Sequence, residues 1–330
     1  MFFESFILFL INFFITCSLS PILEKIGSKL NLIDRPDYRK INKRSLVRVG
    51  GISFIASFII SCIILIFFTK NNLIINSEYK NFFTISIIIS LLSFLLGFAD
   101  DLKSLSPIFR LFMQIIISAF VWICGIQITN IDISFLNLDI EFISVNRFIS
   151  LFLTIIWITG ITNAINWIDG LDGLASSLVG VSSLSLGVLF MVEGNILEGL
   201  ILIGISGSCL GFLIFNRYPA KLIMGDGGSY FLGFNLGYLS ILGGSSYLVS
   251  DSINIYTQKL HIFILIFLIP LFDMTYVILV RLLKGLSPFY PDNNHIHHRL
   301  MNFGLNHDKV VKFLTGANIV ICIFNLIILF

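Results

Sequence analysis

FFTISIIISLLSFLLGFADDLK, residues 82–103, is the stretch that decides the fold of this chain. It carries no charge from Phe82 to Ala99 and then reaches two adjacent carboxylates, Asp100 and Asp101. An α-helix needs about 20 mostly apolar residues to cross the hydrocarbon core of a bilayer. The stretch therefore predicts a membrane-spanning helix with a pair of acids at one of its ends.

The composition of the whole chain indicates the same class of protein. Of its 330 residues, 56% are hydrophobic and only 12% are charged, whereas a soluble domain carries about 25% charged residues. We therefore expect a polytopic integral membrane protein and no nucleic-acid partner. All five cysteines lie in apolar runs without a CxxC pair, so no disulfide framework is expected.

Further apolar runs of similar length predict an all-α fold with about ten transmembrane helices. No internal repeat or low-complexity linker divides the chain, and we interpret residues 1–330 as one transmembrane domain. The predicted helices lie at about 4–24, 49–69, 81–98, 107–125, 147–163, 171–192, 195–215, 228–244, 261–283 and 310–329.

The loops that follow odd-numbered helices hold most of the 21 lysines and arginines. Because loops rich in Lys and Arg face the cytoplasm, this asymmetry predicts that both termini lie outside. The polar motifs fall in these same cytoplasmic loops. They are Asp34-Arg35-Pro36, Asp100-Asp101, Asp169-Gly-Leu-Asp172, Gly225-Asp226-Gly227 and the histidines at 295–298. We therefore expect an active site that faces the cytoplasm.

The adjacent acids Asp100 and Asp101 are candidates for metal binding or for general-base chemistry. Two neighbouring carboxylates repel each other and stay ionised only beside a cation or in ample water. A solvated pair of loop residues without a catalytic role is the alternative that this motif alone leaves open.

A second motif, NAINWIDGLDG at residues 163–173, has an Asn or Asp at every third position. These positions are Asn163, Asn166, Asp169 and Asp172. A helix end followed by a tight turn at Gly170 and Gly173 would bring the four side chains to one spot. Oxygen-bearing side chains suit a hard cation such as Mg²⁺. Helix capping is the alternative for Asn166 and Asp172.

The segment FNRYPAKLIMGDGGS, residues 215–229, surrounds Asp226 with glycines just before a predicted helix. Glycines let a ligand approach the backbone, and the N-terminus of a helix favours anions. We interpret Asp226 as a carboxylate that holds a metal ion, which in turn binds phosphate.

The last predicted cytoplasmic loop contains HIHHRL, residues 295–300, with three of the five histidines of the chain. Together with Arg299 these histidines can form a cationic patch that contacts phosphate. A transition-metal site and a solvated basic loop are the alternatives.

Two further features have no settled role in the sequence. The basic loop DRPDYRKINKRSLVRVGG, residues 34–51, suits contact with anionic lipid headgroups, and a substrate role requires Arg39-Lys40 and Gly50-Gly51 to reach the other motifs. Asp273 lies deep in the predicted ninth helix, where a charge is costly. Arg281 lies two turns further along, too far to be an easy partner.

Together, DRPxxRK…GG, GFADD, NAINxxDGLDGLA, FNxxPAKxxMGDxGSxxLG and HIHHRL resemble the motifs of the polyprenyl-phosphate N-acetylhexosamine-1-phosphate transferases, glycosyltransferase family 4. The resemblance extends from about Asn31 to His307. It implies a polytopic enzyme of the bacterial inner membrane that depends on Mg²⁺, with Mn²⁺ as a substitute. The implied reaction transfers an N-acetylhexosamine 1-phosphate, by default GlcNAc 1-phosphate, from a UDP-sugar to undecaprenyl phosphate. UMP leaves, and a lipid-linked cell-surface glycan such as O-antigen or teichoic acid is started.

The resemblance also implies roles for individual residues. Asp100 matches the proposed general base and Arg110 a basic residue that meets the lipid phosphate, while Asp226 matches the metal-binding aspartate. The full set comprises the catalytic candidates Asp100, Asp101, Asp169 and His295, the metal-binding candidates Asp226 and Asn166, and the substrate-binding candidates Arg110, Asp172, Asn216, Lys40, His297 and His298.

The chain departs from the family pattern in its first loop. Asn42 and Val47 stand where members often have a histidine and a proline, which leaves the role of this loop open. HIHH favours the N-acetylhexosamine branch over the phospho-MurNAc-pentapeptide transferase, which remains the alternative enzyme. The order of steps is also open, since a two-step mechanism through an enzyme carboxylate has been proposed for the family.

Two hypotheses from other classes remain at this stage. A transporter or flippase would place its binding residues near the bilayer midplane in repeated halves, whereas here the charges crowd one face. A noncatalytic scaffold of a glycan-assembly complex would not need the carboxylates at all. The oligomeric state is open, with a homodimer among the alternatives.

Overall fold

The computed structural model of the chain describes residues 2–34, 45–71, 77–136, 142–243, 245–250 and 253–329. Most of these residues are helical. The α-helices in the described ranges are α1 Phe2–Lys29, α2 Gly51–Asn71, α3 Ser77–Lys103, α4 Pro107–Ile123, α5 Arg147–Ile168, α6 Leu174–Val192, α7 Ile196–Asn216, α8 Gly225–Gly243, α9 Leu260–Ile266, α10 Leu268–Leu283, α11 Ile296–Asn302 and α12 His307–Leu329.

Each of the ten predicted segments coincides with helix in the structure, although several bounds differ. Helices α3 and α5 continue to Lys103 and Ile168, so Asp100 and Asn166 lie on helices and not in loops. The predicted ninth helix is broken at Phe267 into α9 and α10, which meet at a bend of 83°. The short helix α11, which contains His297 and His298, was not predicted.

Within the described ranges, six helices are long and apolar enough to cross a membrane, or seven if α9 and α10 form one bent span. Helix α4 and residues 51–67 of α2 are apolar but shorter. The fold is thus mainly helical and consistent with a polytopic membrane protein. The total of ten spans stays a prediction.

Two small β-sheets correct the expectation of a purely α-helical chain. The first joins β1 Ile33–Asp34, β2 Leu46–Arg48 and β5 Leu222–Ile223. The second joins β3 Asn130–Asp132, β4 Phe142–Ser144, β6 Ser245–Ser250 and β7 Ile253–Gln258. Strands of two or three residues are too short to show the alternation of apolar and polar residues that predicts a strand. In the pairing of β2 with β5 and of β3 with β7, the strands come from segments far apart in the sequence, whereas the six-residue strands β6 and β7 pair as sequence neighbours.

The first sheet brings the basic loop to the glycine-rich segment near Asp226. Strand β2 runs parallel to β5, with Arg48 opposite Ile223. Beyond the strand, the amides of Gly50 and Gly51 donate to the carbonyl oxygens of Ile223 and Met224 at 3.0 and 2.9 Å. Gly50-Gly51 therefore reach the other motifs, as a substrate role for this loop requires. Arg39 and Lys40 lie outside the described residues.

Helix α8 packs between α2, α3 and α5. All of its residues except Asp226 and Leu242 are buried, as expected for a helix in the interior of a bundle. Glycine permits the close packing at its N-terminus, since a Cβ added to Gly97 would lie only 2.2 Å from the carbonyl oxygen of Asp226. The backbones of α3 and α8 are thus in contact at the level of Asp226, which is where the carboxylates gather.

Candidate active site

Asp226 is the centre of the polar cluster at the N-terminus of α8. Its Oδ1 accepts a hydrogen bond from Nδ2 of Asn166 at 2.8 Å, and its Oδ2 accepts one from a terminal guanidinium nitrogen of Arg48 at 2.7 Å. Asn166 also donates to the hydroxyl of Ser229 at 2.9 Å. The two metal-binding candidates that the family resemblance implies are therefore in direct contact.

Asp101 caps helix α8. Its two carboxylate oxygens accept hydrogen bonds from the backbone amides of Asp226 and Gly227 at 2.8 and 2.9 Å. A carboxylate at these amides satisfies donors that have no partner within the helix and complements the helix dipole. The side chain is only 4% exposed and also receives Nε of Arg48 at 2.6 Å. This geometry gives Asp101 a positioning role for Asp226.

Asp100 points away from its neighbour. One of its oxygens accepts the amide of Leu105 at 2.7 Å, and the other pairs with the guanidinium of Arg110 at 2.5 Å. Its carboxyl group also lies close enough to that of Asp226 to interact with it. The two adjacent acids thus have different surroundings, because each is matched to its own arginine.

Asp169 lies at the C-terminal end of α5, and its carboxyl group has no hydrogen bond or ion pair with any residue that the structure describes. Burial raises its pKa well above the ordinary value, and the nearby charge of Asp226 raises it further. A carboxyl group that faces a charged cluster without a partner of its own is available to a ligand.

The four side chains of the second motif do not all converge. Asn163 donates to Oε1 of Gln114 at 2.7 Å and to the carbonyl oxygen of Thr159. Because α5 continues to Ile168, each step of three residues turns the side chain by about 300° around the helix axis. Asn166 therefore contacts Asp226, Asp169 lies close enough to be affected by its charge, and Asn163 faces α4, so the expectation of one four-residue cluster is wrong.

Asp172 and Asn216 fasten the turn after Asp169 to the segment before α8. Oδ2 of Asp172 accepts the amide of Ala220 at 3.0 Å. The buried amide group of Asn216 accepts from Gly173 and Ser176 and donates to the carbonyl oxygen of Leu222. The predicted contact of both residues with a nucleotide sugar stays a prediction. Their hydrogen bonds give them a positioning role.

Asp273 has a partner that the sequence did not reveal. Its Oδ2 lies 2.7 Å from Nδ1 of His295, and its Oδ1 accepts the amide of Ile296 at 2.6 Å. The carboxylate is 2% exposed and caps the N-terminus of α11. It therefore fixes the histidine segment to α10.

His297 packs against the turn of the second motif. A Cβ added to Gly170 would lie 2.3 Å from its Nε2, so the ring occupies the space that only glycine leaves open. Burial lowers the pKa of His297 well below the ordinary value, and the charges of the neighbouring histidines lower it further. Burial followed by the charge of His295 also lowers the pKa of His298. These shifts disfavour the cationic form of the two rings, and the contact of the histidines with phosphate stays a prediction.

Arg281 holds the loop before the histidines. It pairs with both carboxylate oxygens of Asp292 at 3.0 Å, and its guanidinium carbon lies 5.0 Å from the ring centre of Trp167. Although burial raises the pKa of Asp292, the hydrogen bonds from Arg281 and Asn294 bring it down to about 2. This contact joins α10 to the end of α5, close to Asn166.

Arg48 is the site residue that sequence reasoning missed. It contacts both Asp101 and Asp226, yet it was counted only as one of many basic residues in a lipid-facing loop. Its position directly before Val49 and the double glycine was the available signal. Lys40, the substrate-binding candidate from the same loop, lies outside the described residues.

The donors that converge here are carboxylate and amide oxygens. Mg²⁺ prefers such ligands, and it is often held by one or two carboxylates while water and substrate phosphates complete its shell. No group of three or more His, Cys, Asp or Glu side chains in the described ranges forms a complete cation site. Asp226 and Asp100 supply carboxylate oxygens beside the side-chain amide of Asn166, so an ion held here would need phosphate and water oxygens to complete its shell.

Comparison with known proteins identifies relatives that are named as sugar-phosphate transferases. Residues 83–244 match Glycosyl transferase family 4. Over 299 residues the chain is 31% identical to the probable undecaprenyl-phosphate N-acetylglucosaminyl 1-phosphate transferase of Bacillus subtilis, in an alignment that covers 91% of this chain and 78% of the relative.

Two other relatives show the breadth of the similarity. The undecaprenyl-phosphate alpha-N-acetylglucosaminyl 1-phosphate transferase of Yersinia pestis is 29% identical over 303 residues, which is 90% of this chain and 76% of the relative. The phospho-N-acetylmuramoyl-pentapeptide-transferase of Prochlorococcus marinus is 35% identical over 174 residues, which is 52% of this chain and 46% of the relative.

Proposed function

Because this chain belongs to glycosyl transferase family 4, we propose that it transfers N-acetylglucosamine 1-phosphate from UDP-N-acetylglucosamine to undecaprenyl phosphate. The observation that carries the proposal is the convergence of Asp100, Asn166, Asp169 and Asp226 with two arginines at one end of the helix bundle. Relatives with matching names extend over most of the chain.

The donor side of the proposed site is the N-terminus of α8. Asp226 and Asn166 would hold Mg²⁺, which supplies charge neutralisation for the pyrophosphate of the UDP-sugar. Arg48 holds the carboxylate of Asp226 in place from the opposite side. Asp169 is free to accept a hydrogen bond from a hydroxyl group of the sugar or, in its protonated form, to donate one to a phosphate oxygen, since its carboxyl group has no partner among the described residues.

The acceptor side is the Arg110–Asp100 pair. A guanidinium binds phosphate oxygens well, so Arg110 would hold the phosphate of the lipid. Asp100 contacts Arg110, so a phosphate bound to Arg110 would also lie beside Asp100. Asp100 would accept the remaining proton of that phosphate. An oxygen of the lipid phosphate then bonds to the β-phosphorus of the UDP-sugar, the phosphorus that carries the sugar. The bond from this phosphorus to the bridging oxygen breaks, and UMP leaves with that oxygen and its electron pair.

We infer that the site faces the cytoplasm of a bacterial cell and that the chain crosses the inner membrane ten times. Support comes from the excess of Lys and Arg in the loops after odd-numbered helices. Asp34, Asp100, Asp169, Asp226 and His295 lie in or beside those loops. A nucleotide sugar made in the cytoplasm would then reach the site without crossing the bilayer.

The phospho-MurNAc-pentapeptide transferase reaction is the second candidate, supported by the similarity to the Prochlorococcus protein. It uses the same acceptor and the same leaving group, so the carboxylate cluster alone does not separate the two reactions. The two reactions differ in the sugar that the UDP donor carries.

A UMP-release assay tests the proposal. Purified full-length protein in detergent receives Mg²⁺, a short-chain polyprenyl phosphate and, in parallel, UDP-GlcNAc, UDP-GalNAc or UDP-MurNAc-pentapeptide. We expect UMP release with UDP-GlcNAc that requires both Mg²⁺ and the lipid. Release only with the pentapeptide donor would select the second candidate. No release with any donor would contradict the enzyme hypothesis and favour a transporter or a noncatalytic relative.

A further inference from the structure

A second cavity opens between the ends of α6, α7 and α12, outside the carboxylate cluster. Its volume is about 850 Å³, which lies in the range of small-molecule sites in proteins. The residues at its polar rim include Arg217, Lys221 and Lys312. The proposed transfer uses none of these three cations, so the cavity needs an explanation of its own.

The cavity has a polar end and an apolar end. On α12 its lining extends from Asp308 to Ile319, a distance of about 16 Å along a helix with a rise of 1.5 Å per residue. Leu213 and Ile214 of α7 form the facing wall. Ile214 and Ile319 are 45% and 41% exposed, so the apolar end opens on the outer surface of the bundle, where lipid would surround it.

The polar rim carries a net positive charge, because three cations, Arg217, Lys221 and Lys312, stand against two acids, Asp172 and Asp308. Lys312 pairs with Asp308 at 2.6 Å, and Asp172 accepts the amide of Ala220. Arg217 and Lys221 are exposed, and neither side chain has a hydrogen bond or ion pair with a residue that the structure describes. Two cations without partners therefore face a cavity whose other end is apolar.

We propose that this cavity binds the phosphate headgroup of an anionic glycerophospholipid, with an acyl chain between α7 and α12. The cations attract the headgroup, and each basic residue near a membrane surface contributes about 1 kcal/mol to the binding of anionic lipid. The apolar wall accommodates the acyl chain of the lipid. A soluble nucleotide has no apolar group of this length to place there. A zwitterionic headgroup gains less because its ammonium group is repelled by the same cations.

The position of the cavity links this lipid to the proposed active site. Asp172 and Gly173, at the end of the turn that begins with Asp169, line the cavity. Ala220, whose amide binds Asp172, lies between the two unpaired cations. A bound headgroup would therefore hold the segment 217–221 against the turn. The proposal itself concerns binding and does not depend on the transfer reaction.

The first test removes the cations. Native mass spectrometry of the detergent-purified full-length protein measures the affinity for phosphatidylglycerol and, for comparison, phosphatidylcholine. The double variant Arg217→Ala/Lys221→Ala is expected to bind phosphatidylglycerol about 25-fold more weakly, since about 1 kcal/mol per cation corresponds to about fivefold. Lys309→Ala is the matched control, because Lys309 is exposed near the start of α12 but does not line the cavity.

The second test fills the cavity without changing its charge. Gly316 lines the cavity, and a Cβ added there meets no atom within 4 Å. Gly316→Leu should therefore block the acyl chain and reduce phosphatidylglycerol binding at least fivefold, whereas Gly316→Ala adds a single methyl group and should not. Both substitutions replace glycine inside a helix, which favours folding.

The outcomes separate the sources of phosphate. Equal affinity for the two phospholipids, or phosphatidylglycerol binding that stays within twofold in both the charge variant and Gly316→Leu, would overturn the proposal. Displacement of phosphatidylglycerol by millimolar inorganic phosphate alone would show a free-anion site. Loss of short-chain polyprenyl phosphate binding in the charge variant, with phosphatidylglycerol binding intact, would assign the cavity to the acceptor. Either of these results would also be against the proposal.

Discussion

Arg48 and Asp226 lie 178 residues apart in the sequence, and their side chains meet at 2.7 Å. The same guanidinium donates to Asp101, which caps the helix that begins at Asp226. One arginine from the first loop thus pairs with two carboxylates of the candidate site. The parallel pairing of β2 with β5 is what brings it there.

The first prediction concerns this shared cation. Arg48→Ala leaves Asp101 and Asp226 without their arginine partner, and hydrogen bonds to charged groups contribute about 1.5–3 kcal/mol. Because the Arg48 side chain is 28% exposed, solvent screening reduces this, and we expect a loss of about 1–2 kcal/mol of stability. Transferase activity should fall at least tenfold. Thermal unfolding in detergent and UMP release measure the two effects.

Arg48→Lys and Lys103→Ala complete that experiment. Lysine keeps the charge but offers a single ammonium where the guanidinium reaches both carboxylates, so its effect should be intermediate. Lys103 is an exposed residue at the end of α3, and its replacement should change neither quantity. Wild-type activity and stability in Arg48→Ala would show that the contact is incidental.

The second prediction distinguishes the two proposed sides of the site. Asp100→Asn and Asp226→Asn should each reduce turnover by at least 100-fold, the range found for acid–base groups and metal ligands. Only Asp226→Asn should also remove the Mg²⁺ dependence of UDP-GlcNAc binding, which calorimetry with and without Mg²⁺ measures. Unchanged Mg²⁺-dependent binding in Asp226→Asn would move the metal to the turn at Asp169 and Asp172.

Apolar runs were sufficient to predict the long helices, because such a helix needs an unbroken stretch of about 20 mostly apolar residues. The short helix α11 has no such stretch. The convergence of Asp100, Asn166 and Asp226 was expected from one prediction, that the loops after odd-numbered helices share one side of the membrane. Such inferences use local composition and the positive-inside rule, by which alternate loops lie on the same side of the membrane. They need no knowledge of which helices touch.

The contacts that the sequence did not reveal are those between distant segments. Asp273 pairs with His295 because α10 passes beside the start of α11, and helical spacing within α10 alone pointed to Arg281, which pairs with Asp292 instead. The strands β2 and β5 have two or three residues and no periodicity of their own. Arg48 was missed for that reason.

The third prediction addresses the order of chemical steps. Asp169 has a raised pKa, and a carboxyl group that resists ionisation is a poor nucleophile. This argues against a covalent intermediate on Asp169, and we expect direct attack by a lipid phosphate held at Arg110 beside Asp100, with Asp169 acting as a hydrogen-bonding group. Without acceptor lipid, wild-type protein should release far less than one UMP per molecule, while Asp169→Asn with acceptor should be about 100-fold slower than wild type. A stoichiometric burst of UMP without acceptor, absent in Asp169→Asn, would instead identify a covalent intermediate.

The fourth prediction tests the contact between Gly170 and His297. Gly170→Ala places a methyl group 2.3 Å from Nε2 of His297, and overpacking of this kind costs about 1–3 kcal/mol. The double variant Gly170→Ala/His297→Ala should recover part of that loss, with a coupling energy of at least about 0.5 kcal/mol. Gly160→Ala is the control, because a Cβ there meets no atom within 4 Å. Purely additive effects on thermal unfolding would contradict the contact.

The fifth prediction is a loss of stability in acid that depends on His297. Its pKa is lowered in the folded protein by burial and by the neighbouring histidines, whereas in the unfolded chain it is about 6.5. Below that pH the unfolded state binds a proton that the folded state refuses, so stability falls as pH decreases. The loss can reach about 1.4 kcal/mol for each pH unit below 6.5. Unfolding temperatures between pH 7.5 and 5.5 should therefore decrease less in His297→Gln than in wild type. Parallel curves for the two proteins would mean that His297 takes up a proton equally well in the folded and unfolded states. Its pKa would then not be lowered by burial, against the packing described above.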